Sequence, residues 1–335
     1  MTNIEHDIFI KIYNLFITFR LYSMCMKKHI VKKDDGIFYY EGGSSSTKGA
    51  VILIHGFADS KNGHLMVAKQ LLSQYRVLIP DLPGFGENIK FHQEKYSLTY
   101  MSEKVIELLK EKKLEKVHIL GNSLGGAVAM GIAAKAPELV KSLVLVGSAG
   151  FYNCNIRTVQ NEILEGDYIF DVKSDYEFRK LVGRIFTKPP KIPSFIFNIV
   201  SKEFQAQGKW YRKLLDDLTA TTAVNSTCAA DDVNSVNEKN TFSNANSISD
   251  KLLKDSYNSR AREFTMNTLL IWGEKDKIIP PETGAFAKSI IPNSKLVILK
   301  NAGHAPQHEN LPDYMDALLI FLNENESNNS LIGEI

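Results

Sequence analysis

Charge of one sign is what this sequence most plainly lacks: 40 Lys and Arg stand against 38 Asp and Glu, a formal net charge of +2, with no long block of either. A chain without a basic patch or stripe has no electrostatic footprint for nucleic acid. Cysteine is scarce too. Cys25, Cys154 and Cys228 are odd in number and widely spaced, and no two stand at metal-ligand spacing. That argues against a disulfide framework and against a zinc site. Internal repeats are absent. So is a long unbroken apolar run: the nearest approach, Ile8 to Tyr22 (IFIKIYNLFITFRLY), is interrupted by Lys11 and Arg20, whereas a membrane-spanning helix needs about 20 apolar residues.

The same N-terminal run makes a poor secretory signal. Such a leader is basic, yet Glu5 and Asp7 precede this run, and Ser23-Met24-Cys25 is a poor cleavage site. Read as a helix within residues 1–25, it places Asp7, Lys11, Asn14 and Thr18 on one narrow polar stripe of an otherwise apolar cylinder. Three readings stay open. The segment is a cleaved signal despite these features, or residues 8–22 lie in a membrane interface, which favours a membrane-associated or cell-envelope location over a cytoplasmic one, or they pack against the protein's own body or a partner subunit.

With 335 residues, 44% of them apolar, the chain can bury one large core and carry an insert. Lys28 to Lys33 and Ile37 to Glu41 flank Asp34-Asp35-Gly36 as a hairpin. Beyond a Gly/Ser-rich turn, six short apolar runs predict strands buried on both faces: Ala50 to Ile54, Arg76 to Pro80, Val117 to Leu120, Leu143 to Val146, Thr268 to Trp272 and Leu296 to Leu299. Between them lie helical patterns such as Leu98, Met101, Val105, Leu108 and Leu109. Alternating strands and helices predict a doubly covered, mostly parallel sheet. The alternation stops at Gly150 and resumes at Thr268. Residues 26–150 and 263–325 are therefore expected to form an α/β core, and 151–262 a helical cap inserted after the sixth strand. Polar residues near 219–250 suggest a surface loop, and 326–335 a flexible tail.

Gly121-Asn122-Ser123-Leu124-Gly125 sits directly after a predicted strand and directly before a small-residue helical run. In a G-x-S-x-G turn the serine occupies a strained corner that exposes its hydroxyl, and the glycines leave room for the tight backbone. Ser123 is thus the candidate nucleophile, and it needs a base. His304 follows the last predicted strand, which delivers it to the same sheet edge. His55 ends the third strand, where a loop hydrogen-bonding role fits better; His118 lies within a strand; and His308 is an ordinary loop residue, since Pro306 argues against helix there. A carboxylate must hold the base. Asp276, with Glu274 as its competitor, gives the chain order Ser, Asp, His. The backbone N–H groups of Leu124 and Phe57 are the candidate oxyanion donors.

These residues resemble the α/β-hydrolase family. HGF at 55 to 57, PDLPGFGE at 80 to 87, GNSLGG at 121 to 126, LVGSAGF at 145 to 151, WGEKDKIIP at 272 to 280 and GHAPQHEN at 303 to 310 are most similar to bacterial triacylglycerol lipases and esterases and to monoacylglycerol lipases. The resemblance implies an eight-stranded, mostly parallel sheet flanked by helices, a helical cap, no cofactor or metal, and the triad Ser123, Asp276, His304. Three departures stand out. Gly147 replaces a common Asp, Asn62-Gly63-His64 replaces a more acidic and aromatic stretch, and the polar residues from about 225 to 249 look like an extra insertion. A serine nucleophile in place of Asp removes the epoxide-hydrolase and haloalkane-dehalogenase readings.

The expected activity is hydrolysis of carboxylic esters of apolar acids, acylglycerol-like small molecules or lipids, through an acyl-enzyme. Phe195, Ile196, Phe197 and Ile199 are candidates either for an acyl pocket or for the cap's own core. The rivals are a carbon–carbon hydrolase of ring-cleavage dienones, and a ligand receptor that uses the pocket without turnover.

Overall fold

Six strands with continuous apolar runs, joined by amphipathic helices, close into one sheet in the computed structural model, which describes residues 3–31, 36–43, 48–88, 90–219 and 257–327. The expected polar loop beyond Thr219 and the tail from 328 lie outside these residues, as do Asp34 and Asp35 of the expected turn. Strands β1 (Lys27–Val31) and β2 (Ile37–Gly42) form the antiparallel hairpin. β3 (Ala50–Ile54), β4 (Arg76–Pro80), β5 (Val117–Asn122), β6 (Val140–Val146), β7 (Thr268–Gly273) and β8 (Ser294–Leu299) run parallel to one another, in the order β1-β2-β4-β3-β5-β6-β7-β8. Four strands are longer than their apolar runs: β5 continues through Gly121 and Asn122, β6 begins at Val140, paired with Val117, β7 runs on to Gly273, and β8 begins at Ser294, paired with Thr268. Backbone pairing, which apolarity does not report, extends all four.

Side chains alternate between the sheet's two faces along each strand. In β3, Ile52 and Ile54 face the layer of α3 (Leu98–Glu111), α4 (Leu124–Lys135) and α10 (Pro281–Ile290), whereas Val51 and Leu53 face α2 (Leu65–Leu71) and α12 (Leu311–Ser327). The predicted stripe holds. Met101, Val105, Leu108 and Leu109 of α3 are buried, and Ser97 caps the helix by accepting from the Tyr100 N–H at 3.1 Å.

Between β6 and β7 run α5 (Val159–Leu164), α6 (Asp175–Ile185), α7 (Ser194–Ala206), α8 (Gly208–Thr219) and α9 (Asn258–Ala261). Trp210 ties them to the sheet by donating its indole N–H to the Gly84 carbonyl at 2.7 Å. Phe197 and Ile199 are buried against α6 and its neighbours, whereas Phe195 points outward. None of that stretch borders the recesses at Ser123, so these residues serve the cap's core or surface.

Helix α1 (Asn3–Ser23) has three sectors where the sequence suggests two. Ile17 and Leu21 are buried with Met24 in the apolar cluster that also holds residues of α2 and α12, and the Tyr13 hydroxyl accepts from Asn62 at 3.2 Å. Lys11, Asn14 and Thr18 of the polar stripe are exposed. So are Ile12, Leu15, Phe16, Phe19 and Tyr22, which form an apolar stripe at helical spacing. No helix among the described residues is long and apolar enough to cross a membrane.

Candidate active site

β5 delivers Ser123 to the sheet's C-terminal edge on a corner that only small neighbours allow. Ser123 has φ 52 and ψ −115, a left-handed conformation costly for any residue but glycine. A Cβ on Gly121 would stand 2.2 Å from the Gly125 carbonyl oxygen, and one on Gly125 2.2 Å from that of Ile54. Both positions therefore require glycine for the turn to close. The corner is held by backbone: Ser123 N–H donates to Val146 O at 2.9 Å, and Ser123 O accepts from Ala149 N–H at 3.1 Å.

The structure brings His304 and Asp276 together across 28 residues. His304 Nδ1 lies 2.8 Å from Asp276 Oδ2, and Asp276 Oδ1 accepts from the N–H groups of Ile278 and Ile279 at 2.9 and 3.0 Å. Both carboxylate oxygens are thus occupied, and the acid is buried. Since a carboxylate only accepts, Nδ1 carries the proton and Nε2 is left as the basic nitrogen. Glu274, by contrast, is exposed and accepts from the Asn301 N–H. His55 spans its own loop, with Nδ1 2.8 Å from Gly56 O and Nε2 accepting from the Leu82 N–H at 2.9 Å.

One expectation needs correcting. His308 lies in a short helix, α11 (Pro306–Glu309), with Pro306 in its first turn, where a missing N–H costs nothing. His308 faces a recess shared with Ser123 and His304, and burial among protein atoms lowers its pKa.

Two recesses meet at Ser123. One is mostly apolar, walled by Leu124, Phe151, Val159, Ile163, Leu215 and Ile279, the character expected of a small-molecule site. The other borders Ser123 and His304 and includes Asp59, Gln307 and His308. Phe57 lines both.

A further group went unrecognised in the sequence. Lys61, fully buried, donates its backbone N–H to Asp81 at 2.8 Å and reaches Asp81 and Glu87 with its ammonium at 2.5 and 2.8 Å. This pair clamps the turn that carries Phe57 to the loop after β4. A lysine just after HGF and an aspartate just after a buried strand were its only signal, and a pairing across 20 residues cannot be read from either.

The sequence profile of the α/β-hydrolase fold matches residues 49–311. The chain belongs to that family. Within the α/β hydrolases it is 31% identical over 296 residues to Lipase 1 of Psychrobacter immobilis, covering 87% of this chain and 82% of that one. It is 29% identical over 293 residues to Lipase 3 of a Moraxella species, covering 86% and 81%. A crystal structure of a candidate lipase from Acinetobacter baumannii AYE superposes with a TM-score of 0.78 at 27% identity, covering 94% of this chain and 97% of that one. This α/β hydrolase is accordingly lipase- and esterase-like, a carboxylic ester hydrolase.

Proposed function

We propose that the chain hydrolyses esters of apolar acids through an acyl-enzyme, with Ser123 as nucleophile, His304 as base and Asp276 as its acid partner. The observation that carries this reading is the hydrogen-bonded His304–Asp276 pair opening onto the same recess as a strained, half-buried serine. His304 Nε2 takes the Ser123 hydroxyl proton as Oγ attacks the ester carbonyl, then gives it to the departing alcohol. Water repeats the cycle and releases the acid. Asp276 fixes the tautomer and stabilises the imidazolium. The N–H groups of Leu124 and Phe57 receive the oxyanion; the Cβ that Gly56 lacks would stand 3.4 Å from Ser123 Cβ, so that loop runs against the nucleophile. The apolar recess suits the acyl chain. Incubation with a fluorophosphonate probe and a chromogenic ester series tests this reading: labelling confined to Ser123, and turnover of esters but not of a ring-cleavage dienone, are expected. Dienone turnover alone, or no labelling, refutes it.

The exposed apolar stripe of α1 supports a second element of the function, contact with a lipid surface where acylglycerol-like substrates reside. Because Ile17 and Leu21 already hold the helix to the body, its outer stripe is free to enter an interface without unfolding. Replacing Leu15, Phe16 and Phe19 by Ser should abolish co-sedimentation with liposomes and leave the melting temperature almost unchanged, as surface changes do. Ile17→Ala with Leu21→Ala should lower it. Undiminished liposome binding by the triple variant would refute the interfacial role.

A further inference from the structure

The second recess at Ser123 differs from the apolar one in a way that ester hydrolysis alone does not require. Resting on the hydrolase reading above, the acyl chain occupies the apolar recess, and the alcohol, which must collect its proton from His304, leaves through the recess His304 borders. The chemistry of that wall therefore selects the alcohol.

Asp59 stands in the wall, presented by a strained backbone: Ala58 just before it has φ 56. Asp59 is exposed where it borders the recess, and its carboxylate lies over Gly63, whose lack of a side chain leaves room for it. Protein surrounds it at longer range, and this desolvation raises its pKa, with partial offset from His55 and His308. The side chains that act on it are His55, His308 and Asp81, with no Lys or Arg of the described residues among them. The nearby Lys61 is already engaged by Asp81 and Glu87. Asp59 accepts one hydrogen bond, from the Ser60 N–H at 2.7 Å. A carboxylate without a cationic partner attracts a positive charge.

Aromatic faces complete the wall. Phe57 packs on Phe170 at 4.8 Å and on Tyr211 at 5.6 Å between ring centroids, and Phe204 on Tyr211 at 5.0 Å. Phe57, Phe170 and Phe204 border the recess directly. Rings beside a carboxylate are the combination that attracts an ammonium group, through the ring quadrupole and the charge together.

We propose that this recess is a subsite for an alcohol bearing an ammonium group, so that the enzyme prefers esters of amino alcohols, with Asp59 and the surrounding rings as the specificity-determining residues. An anionic alcohol is repelled there, and a plain alkyl alcohol leaves the Asp59 carboxylate without a counter-charge.

The test compares three esters of one short fatty acid: the trimethylammonioethyl ester, its uncharged carbon isostere the dimethylbutyl ester, and the glycerol monoester. In wild-type protein kcat/KM for the ammonium ester should exceed that for the isostere by about tenfold or more, and Asp59→Asn should bring the ratio close to one. A wild-type ratio at or below one overturns the proposal, as does a ratio unchanged in Asp59→Asn or a glycerol ester preferred over the ammonium ester. Calorimetric titration with tetramethylammonium reads the recess without turnover. Binding that weakens in Asp59→Asn supports the subsite, and no binding to wild-type protein refutes it. Failure to turn over any of the three esters sinks the hydrolase reading instead, and leaves the titration to decide the subsite.

Discussion

The two ends of the parallel sheet each carry a serine, a histidine and a carboxylate, and their settings differ. At the C-terminal edge His304 Nδ1 meets Asp276 at 2.8 Å. Toward the other end His118 Nε2 meets Glu326 at 2.8 Å, and its Nδ1 lies 2.7 Å from the Ser142 hydroxyl. Judged by distances alone, the second trio is the better triad. Ser142, however, sits inside β6, fully buried, on ordinary strand backbone. Lys141 also engages Glu326 at 2.6 Å, which spreads the carboxylate between two partners. Burial lowers the His118 pKa. A hydroxyl with no exposed surface cannot meet a substrate. Hydrogen bonds make a trio; a strained corner, backbone donors and two open recesses distinguish a candidate active site from a structural pin.

The largest expected difference between the ends is in turnover. Ser123→Ala should lower kcat by about 10⁴-fold or more, and adding His304→Ala should cost little further, because triad members act as a unit. Ser142→Ala should leave kcat near wild type and cost about 1 kcal/mol of stability through one lost hydrogen bond. Equal losses of turnover in the two single variants would erase the distinction.

Next in size is the carboxylate. Asp276→Asn should keep the fold and lower kcat by about 10⁴-fold, as an amide favours the wrong imidazole tautomer. Glu274→Gln should change little, and Glu326→Gln should lower the melting temperature while sparing turnover. If Glu274→Gln proved the more damaging of the first two, the acid would have to be reassigned.

The smallest effect is on the pH dependence of stability. Burial lowers the His64 pKa to about 3, only partly opposed by the Ile54 carbonyl, and neither ring nitrogen achieves a hydrogen bond. His118 is lowered as well. Below the ordinary histidine value the unfolded chain takes up protons that the folded chain refuses, so stability is lost as pH falls under 6.5 and is regained above it. Each such group contributes up to about 1.4 kcal/mol per pH unit. Thermal unfolding between pH 7 and 5 should show this slope, reduced in His64→Leu. An unchanged slope would mean that His64 takes up its proton in the folded state.

Local signals explain what could be read in the sequence. The strands β3, β5 and β7 are continuous apolar runs, and the elbow around Ser123 is a glycine pattern between a strand and a helix, so neither needs knowledge of distant residues. His304 and Asp276 were identifiable because both follow strands that end at the same edge. Asp59 had no such signal, since what gives it meaning is a wall assembled from the cap, the turn after β3 and α11. The His118–Glu326 contact spans 208 residues, and the face of α1 that packs on the body depends on α2 and α12. The periodicity of α1 reveals a polar stripe but cannot say which of the remaining sides is covered.

Gly147 follows β6 with φ 48, where most side chains are strained. A Cβ placed there would stand 3.2 Å from both Asp276 Oδ2 and His304 Nδ1. Any larger residue would therefore press on the contact between acid and imidazole from the neighbouring strand end, and glycine leaves that contact to form undisturbed.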